Sequence, residues 1–85
     1  MITIYGKASC GFCTKAKAFA DQRKFNYEYK DVGISKDTLF ELMDRAPIKV
    51  KSVPQIFIGK DYIGGYNEFT RYVEETGYNG TGETL

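Results

Sequence analysis

Two cysteines, Cys10 and Cys13, lie close together near the start of the 85-residue chain, in the stretch SCGFCTK. They are its only cysteines, and the chain has no histidine. Because a tetrahedral zinc site generally takes four protein ligands, the pair does not indicate zinc. A structural disulfide that closed so short a loop would restrain little of the unfolded chain. Reversible thiol–disulfide exchange is therefore the chemistry that this spacing favours.

The sequence around the pair predicts which thiol attacks first. An amphipathic helix is predicted from about Gly11 to Lys24, because four apolar residues recur there at helical spacing: Phe12, Ala16, Phe19 and Ala20. Cys10 then lies at the helix start, where free backbone N–H groups and the helix dipole favour a thiolate, and Lys7 adds positive potential. We therefore expect Cys10 to be the exposed nucleophile. Cys13, one turn further in, is expected to be the resolving thiol that attacks a mixed disulfide on Cys10.

The remaining pattern predicts an α/β domain with the order βαβαββα. The predicted strands are Ile2–Tyr5, residues 26–32, Gln55–Ile58 and Tyr62–Ile63. Two further helices are predicted, one capped by Ser35 and ending near Arg45, the other capped by Asn67, reaching about Glu75 and terminated by Gly77. A helical crossover makes the first two strands parallel. Residues 1–76 are predicted to form the domain, and residues 77–85 a mobile tail.

Composition excludes several classes of function. Twelve basic and eleven acidic residues leave a net charge of +1, so no strong field favours nucleic acid or an anionic membrane. No stretch approaches the roughly 18 consecutive apolar residues of a membrane span. The opening MITIYGK lacks the features of a secretory signal. The expectation is a cytoplasmic protein without a metal centre in the monomer.

Two segments, TIYGKASCGFCTKAK and SVPQIFIGKDYIGGYNEF, resemble the dithiol glutaredoxins in motif and spacing, and the similarity extends from about Ile2 to Glu75. The resemblance implies a thioredoxin-like (glutaredoxin) fold with a four-stranded mixed sheet flanked by helices. It implies glutathione as co-substrate and electron donor for the reduction of protein disulfides and glutathione mixed disulfides. Disulfide-containing proteins, among them ribonucleotide reductase, are the implied partners of a monomer.

The resemblance also implies a glutathione site. A cis-proline turn at Val53–Pro54 would present the Val53 backbone to the glutathione cysteine, and the start of the last helix would offer N–H groups to the γ-glutamyl carboxylate. Lys7 would bind the glycyl carboxylate, with Lys49 and Lys51 as weaker candidates, while Phe12 would cover the sulfurs. The implied glutathione-binding residues are Lys7, Phe12, Ser52, Val53, Pro54, Gly65, Tyr66, Asn67 and Glu68.

Two alternative functions remain open at this point. Gly11 and Phe12 stand where dithiol glutaredoxins often carry Pro-Tyr, and the same pair occurs in monothiol glutaredoxins that bind iron–sulfur clusters. One alternative is therefore a dimer that holds a [2Fe–2S] cluster through Cys10 of each chain and two glutathione molecules. The other is a redoxin that takes electrons from thioredoxin reductase and serves ribonucleotide reductase. The segment GGYNEF favours glutathione over this last alternative.

Overall fold

The computed structural model describes residues 1–78, which form four strands and three helices. The elements are β1 (Ile2–Gly6), α1 (Gly11–Gln22), β2 (Tyr27–Asp31), α2 (Lys36–Arg45), β3 (Gln55–Ile58), β4 (Asp61–Gly64) and α3 (Tyr66–Thr76). This order confirms the predicted βαβαββα pattern. Among the described residues, no helix combines the length and apolar character needed to cross a membrane.

The strands form one mixed sheet in the order β2-β1-β3-β4. Strand β1 pairs with β2 in parallel, so that Ile2 faces Tyr27, as the helical crossover through α1 predicts. Strand β1 also pairs with β3 antiparallel, with Tyr5 opposite Gln55, and β3 continues antiparallel into β4. Strand β1, which leads to the cysteines, and strand β3, which follows Val53–Pro54, are therefore central neighbours in the sheet.

Side chains alternate across the sheet and build one core on each face. Beneath α1 and α3 lies the larger cluster: Ile2, Ile4, Ala16, Ala20, Phe25, Ile56, Ile58, Phe69, Val73 and Tyr78. The face covered by α2 carries Tyr5, Val32, Leu42 and Phe57. Because strands β1 and β3 contribute to both clusters, the ends of these strands are held firmly where they approach the cysteines.

Local signals set the ends of the first two helices. The Ser35 hydroxyl accepts a hydrogen bond from the Thr38 N–H at 3.3 Å, which confirms Ser35 as an N-cap. The first helix ends at Gln22, before the predicted end at Lys24. Lys24 takes a left-handed backbone with φ of 58°, and this conformation does not continue a right-handed helix.

The start of α3 differs from the prediction. Gly65, rather than Asn67, is the N-cap, and Asn67 lies inside the first turn of the helix. The Glu68 carboxylate accepts a hydrogen bond from the Gly65 N–H at 2.8 Å, the side-chain half of a capping box. Because Gly65 is the N-cap, the helix begins two residues earlier than it would with Asn67 as the N-cap.

Tyr78 lies beyond the predicted domain boundary at residue 76 and packs into the core. Gly77 ends α3 in the left-handed conformation, with φ of 67°, as predicted. That turn directs Tyr78 back into the larger core, where only 4% of the residue is exposed and its ring meets Phe25 edge-on at 5.4 Å. The domain therefore extends at least to Tyr78, and the rest of the predicted tail lies outside the described residues.

Candidate active site

The first turn of α1 holds both cysteines. Cys10 is the N-cap, and its sulfur accepts a hydrogen bond from the Cys13 N–H at 3.1 Å. This N–H donor stabilises negative charge on the sulfur. In the same way, the side-chain oxygen of an ordinary N-cap residue accepts a hydrogen bond from an N–H of the first turn. The Cys10 thiol also donates to the Val53 carbonyl at 3.4 Å. Cys10 is half-buried, whereas Cys13 is completely buried, which matches the predicted outer and inner thiols.

Cys13 is held as a thiol. Burial, followed by the Cys10 sulfur beside it, raises the pKa of the Cys13 thiol from 9.0 to about 11. The Lys7 backbone amide and the Tyr29 hydroxyl act in the opposite direction and lower that pKa. Because Cys13 is neutral near pH 7 in the dithiol state, it does not compete with Cys10 for an incoming disulfide. Its attack requires loss of a proton at the moment of resolution.

A groove of about 370 Å³ opens beside Cys10, between the β3 start and the α3 start. It is lined by Phe12, Ile48, Ser52, Val53, Pro54, Gln55, Tyr62, Gly65, Tyr66, Asn67 and Glu68. Every residue that the sequence implied for glutathione binding, except Lys7, therefore lies in this one groove. Its volume and its mixture of ring, aliphatic and backbone polar surface suit a small flexible ligand.

The floor of the groove is the loop that contains the Val53–Pro54 bond, which is cis as the resemblance implied. Two side chains that the sequence analysis missed hold this loop. Gln55 donates to the Ser52 carbonyl at 2.9 Å, and Tyr62 donates to the Gln55 side-chain oxygen at 2.5 Å. No sequence signal identified these contacts, because the Tyr62 partner depends on the β3–β4 pairing.

The far wall of the groove is the α3 start. Gly64 has a φ of 123°, which L side chains rarely adopt, and a Cβ there would lie 3.1 Å from the Glu68 side chain. Glu68 itself turns towards the Gly65 N–H. The first-turn N–H groups of Tyr66 and Asn67 have no carbonyl one turn earlier within the helix, so this end of α3 can receive a carboxylate.

The remaining predicted binding residues lie at the rim of the main groove or outside it. Phe12 is 54% exposed, and its ring lies 6.1 Å from the ring of Tyr66, so it belongs to the groove rim rather than the core. Lys7 lines a separate groove of about 180 Å³, together with Lys51. Ser52 and Val53 line both grooves and form the ridge between them. Lys49 lines neither of these two grooves.

A mixed sheet of this order, with a dithiol at the start of its first helix, defines a thioredoxin-like thiol–disulfide oxidoreductase. The family model for glutaredoxin matches residues 2–63. The chain therefore belongs to the glutaredoxin family, whose members are glutathione-dependent thiol oxidoreductases.

Named relatives and solved structures agree with this assignment. Glutaredoxin 1 of Escherichia coli (strain K12) is 35% identical over 77 residues, which cover 85% of this chain and 91% of that protein. Glutaredoxin of Vibrio cholerae serotype O1 is 35% identical over 79 residues, covering 87% and 91%. Reduced Escherichia coli glutaredoxin superposes with a TM-score of 0.70 at 35% identity, over 87% of this chain and 93% of that one. These similarities confirm the family, the fold and the oxidoreductase activity predicted from the sequence.

The structure of a buckwheat glutaredoxin–glutathione complex gives a TM-score of 0.72 at 23% identity. The match covers 87% of this chain and 68% of the buckwheat chain. At this identity the comparison concerns the fold alone.

Proposed function

We propose that the groove beside Cys10 binds glutathione, and that Cys10 and Cys13 pass its electrons to disulfide substrates. The proposal depends chiefly on one observation: the Cys10 sulfur lies 3.4 Å from the Val53 carbonyl, where the reactive thiol meets the groove. A ligand strand on the Val53 backbone would bring its own sulfur to Cys10. The buckwheat glutaredoxin that shares this fold was solved as a glutathione complex, which supports the proposal.

The groove offers a contact for each part of glutathione. The γ-glutamyl carboxylate would accept hydrogen bonds from the N–H groups of Tyr66 and Asn67 at the α3 start. The Glu68 side chain is engaged with Gly65, so its contribution is to fix that start rather than to bind the ammonium group. The rings of Phe12 and Tyr66 would lie over the cysteinyl sulfur of glutathione and restrict water.

The glycyl end of glutathione would cross the ridge formed by Ser52 and Val53 into the smaller groove. There Lys7 and Lys51 supply positive charge for its carboxylate. This route uses Lys7 as the sequence implied, although Lys7 does not line the main groove. Lys49 has no support from either groove.

The proposed reaction has two exchanges before glutathione restores the enzyme. The Cys10 thiolate attacks one sulfur of the substrate disulfide, and the other sulfur leaves as a thiolate. Cys13 loses its proton to solvent and attacks the Cys10 sulfur, which expels the second substrate thiolate and leaves a Cys10–Cys13 disulfide. Two glutathione thiolates then reduce that disulfide in succession, and oxidised glutathione is released. For a glutathione mixed disulfide, Cys10 alone completes the cycle.

We further place the protein in the cytoplasm as a monomeric electron carrier for protein disulfides, with ribonucleotide reductase as a candidate substrate. A reducing compartment keeps thiols reduced, and it is there that a reversible dithiol can cycle. Cell fractionation tests the compartment, and capture of mixed disulfides on Cys13→Ser tests the substrate.

The first test is the reduction of a glutathione mixed disulfide, with glutathione and glutathione reductase as electron source. We expect Cys13→Ser to retain most of the wild-type activity and Cys10→Ser to lose it completely, because Cys10 is partly exposed beside the groove residue Val53, whereas Cys13 is buried. In a parallel assay with a protein disulfide, both variants should lose most activity, since the second exchange needs Cys13.

Wild type that is inactive with glutathione but active with thioredoxin reductase would overturn the glutathione proposal. Retention of mixed-disulfide activity by Cys10→Ser would overturn the assignment of the nucleophile. Visible absorption after anaerobic purification, lost in Cys10→Ser, would favour the cluster-holding dimer.

A further inference from the structure

The hydroxyl of Tyr29 and the sulfur of Cys13 converge above Gly6, the last residue of β1. A Cβ built at Gly6 would lie 2.5 Å from the Tyr29 oxygen and 2.9 Å from the Cys13 sulfur. Both distances are shorter than a non-bonded carbon tolerates. Glycine at this position therefore leaves space that the hydroxyl and the inner sulfur share.

Tyr29 is held in place by its strand, but its hydroxyl is only weakly engaged. The hydroxyl donates to the Lys7 carbonyl at 3.3 Å. Ordinary O–H···O hydrogen bonds have donor–acceptor distances of about 2.5–3.0 Å, so this one is long. A hydroxyl hydrogen rotates freely about the C–O bond. The same donor can therefore turn from the carbonyl to the Cys13 sulfur when that sulfur becomes charged.

Burial and neighbouring negative charge keep Tyr29 protonated, although Lys17 lies over its ring. Burial, followed by the nearby Cys13 sulfur and then Asp31, raises the pKa of Tyr29 to about 12. Lys17 from α1 lies over the ring, with its nitrogen 5.2 Å from the centroid. Tyr29 thus stays a hydrogen-bond donor near neutral pH.

We propose that Tyr29 is a catalytic residue of the dithiol reaction, which donates a hydrogen bond to the Cys13 sulfur whenever that sulfur carries negative charge. In the resolving step, the Cys13 thiol releases its proton to solvent and the thiolate attacks the Cys10 sulfur. The bond between Cys10 and the substrate sulfur breaks, and the electron pair leaves with the substrate thiolate. In the opposite direction a thiolate attacks Cys10, and Cys13 is the leaving group that Tyr29 stabilises.

The inference rests on the nucleophilic and resolving roles proposed above, but not on the glutathione groove. It concerns only the step that involves Cys13. Reactions completed by Cys10 alone are expected to be independent of the Tyr29 hydroxyl, and this difference makes the proposal testable.

The test uses an aromatic disulfide whose thiolate absorbs visible light. Attack by Cys10 releases one aromatic thiolate in a phase that depends on reagent concentration, and attack by Cys13 releases the second in a phase that does not. In Tyr29→Phe we expect the second phase to slow about tenfold and the first to be unchanged, because one hydrogen bond to a charged sulfur is lost. Gly6→Ala, whose Cβ would clash with both the Tyr29 hydroxyl and the Cys13 sulfur, should slow the second phase as well.

Tyr27→Phe is the matched control. Tyr27 lies on the same strand and the same sheet face, but its hydroxyl donates to Asp21 at 2.8 Å. This variant should leave both phases unchanged. The proposal is overturned if Tyr29→Phe leaves the second phase at the wild-type rate, or if it slows both phases equally. It is also overturned if Tyr27→Phe has the same effect as Tyr29→Phe.

The pH dependence separates stabilisation of the thiolate from a merely structural role. The rate of the second phase should rise with pH as Cys13 deprotonates, and in Tyr29→Phe the whole rise should lie about one pH unit higher. Cys10 is uncharged in the mixed disulfide, so Tyr29, the Lys7 amide and burial govern the profile. If Tyr29→Phe lowers the rate of the second phase by the same factor at every pH, without moving the profile along the pH axis, the proposal is contradicted. If wild type shows no second phase at all, the resolving role of Cys13 fails, which is a separate result.

Discussion

At the scale of single residues, the two cysteines differ in exposure, and this difference supports the roles proposed for them. Cys10 caps α1 and accepts a hydrogen bond from the Cys13 N–H, whereas Cys13 is buried against β1. The spacing in the sequence was sufficient to predict an outer and an inner thiol. It could not reveal Tyr29 or Gly6, because their approach to Cys13 depends on the pairing of β1 with β2.

The raised pKa of Cys13 predicts how the reduced protein responds to alkaline pH. The thiol has a pKa of about 11 in the folded state against an ordinary 9.0, so the unfolded chain loses this proton first as pH rises. The free energy of unfolding should therefore be insensitive to Cys13 below pH 9 and should fall between pH 9 and 11. Denaturant unfolding of reduced wild type and Cys13→Ser across this range measures the effect. The stability of wild type relative to Cys13→Ser should decline with pH, and a constant difference would contradict the assigned burial effect.

At the scale of secondary-structure elements, the α3 start shows where sequence patterns succeed and fail. The sequence predicted a helix near this position, and the helix is present. It also predicted Asn67 as the cap, because asparagine is a good N-cap residue. The actual cap is Gly65, since Gly64 adopts a positive φ and Glu68 reaches back to the Gly65 N–H. Only the Glu68 half of a capping box forms here because glycine has no side chain, and the preferences of single residues for the N-cap position do not predict such a contact.

This capping arrangement predicts a stability effect at Glu68 that is separate from ligand binding. Glu68→Ala should lower the free energy of unfolding by about 1 kcal/mol, because the Gly65 N–H loses its acceptor. Glu68→Gln should lose less, since its amide oxygen can accept the same hydrogen bond. Urea denaturation measures both, and Glu74→Ala, an exposed change on the same helix, is the control.

The same three variants test how the carboxylate of glutathione is bound. If backbone N–H groups of α3 hold it, Glu68→Gln should leave the KM for glutathione close to that of wild type. A large rise in KM with unchanged stability would instead indicate a direct contact between Glu68 and the ligand.

At the scale of the whole molecule, the fold followed from the order of elements, but the shape of the site did not. Alternating apolar residues and one helical crossover predicted the order of elements and the parallel first pair of strands, whereas the four-stranded mixed sheet was implied by the resemblance to glutaredoxins. The division into two grooves, with Lys7 on the far side of the Ser52–Val53 ridge, arises from the packing of α2 and its following loop. Ile48 and Tyr62 also line the main groove. The sequence did not predict this, because their positions depend on contacts between segments that are distant in sequence.

The packing of the Tyr78 ring extends the core past Gly77, and its contribution to stability can be measured. Its ring packs on Phe25 and lies 6.2 Å from the ring of Tyr72, closing the larger core beyond Gly77. Tyr78→Ala should lower the free energy of unfolding by about 3 kcal/mol, as expected when a large buried ring is removed, and Tyr78→Phe should lose much less.

Two truncated chains make the same comparison without a substitution. A chain ending at Thr76 should unfold at a clearly lower denaturant midpoint than a chain ending at Tyr78. Both should retain the first exchange at Cys10, because α1 and the main groove lie within residues 1–76. Equal midpoints for the two chains would show that residue 76 is the true boundary and that the Tyr78 ring adds no stability. A lower midpoint for the shorter chain alone would establish that the aromatic contact after the left-handed turn at Gly77 completes the core.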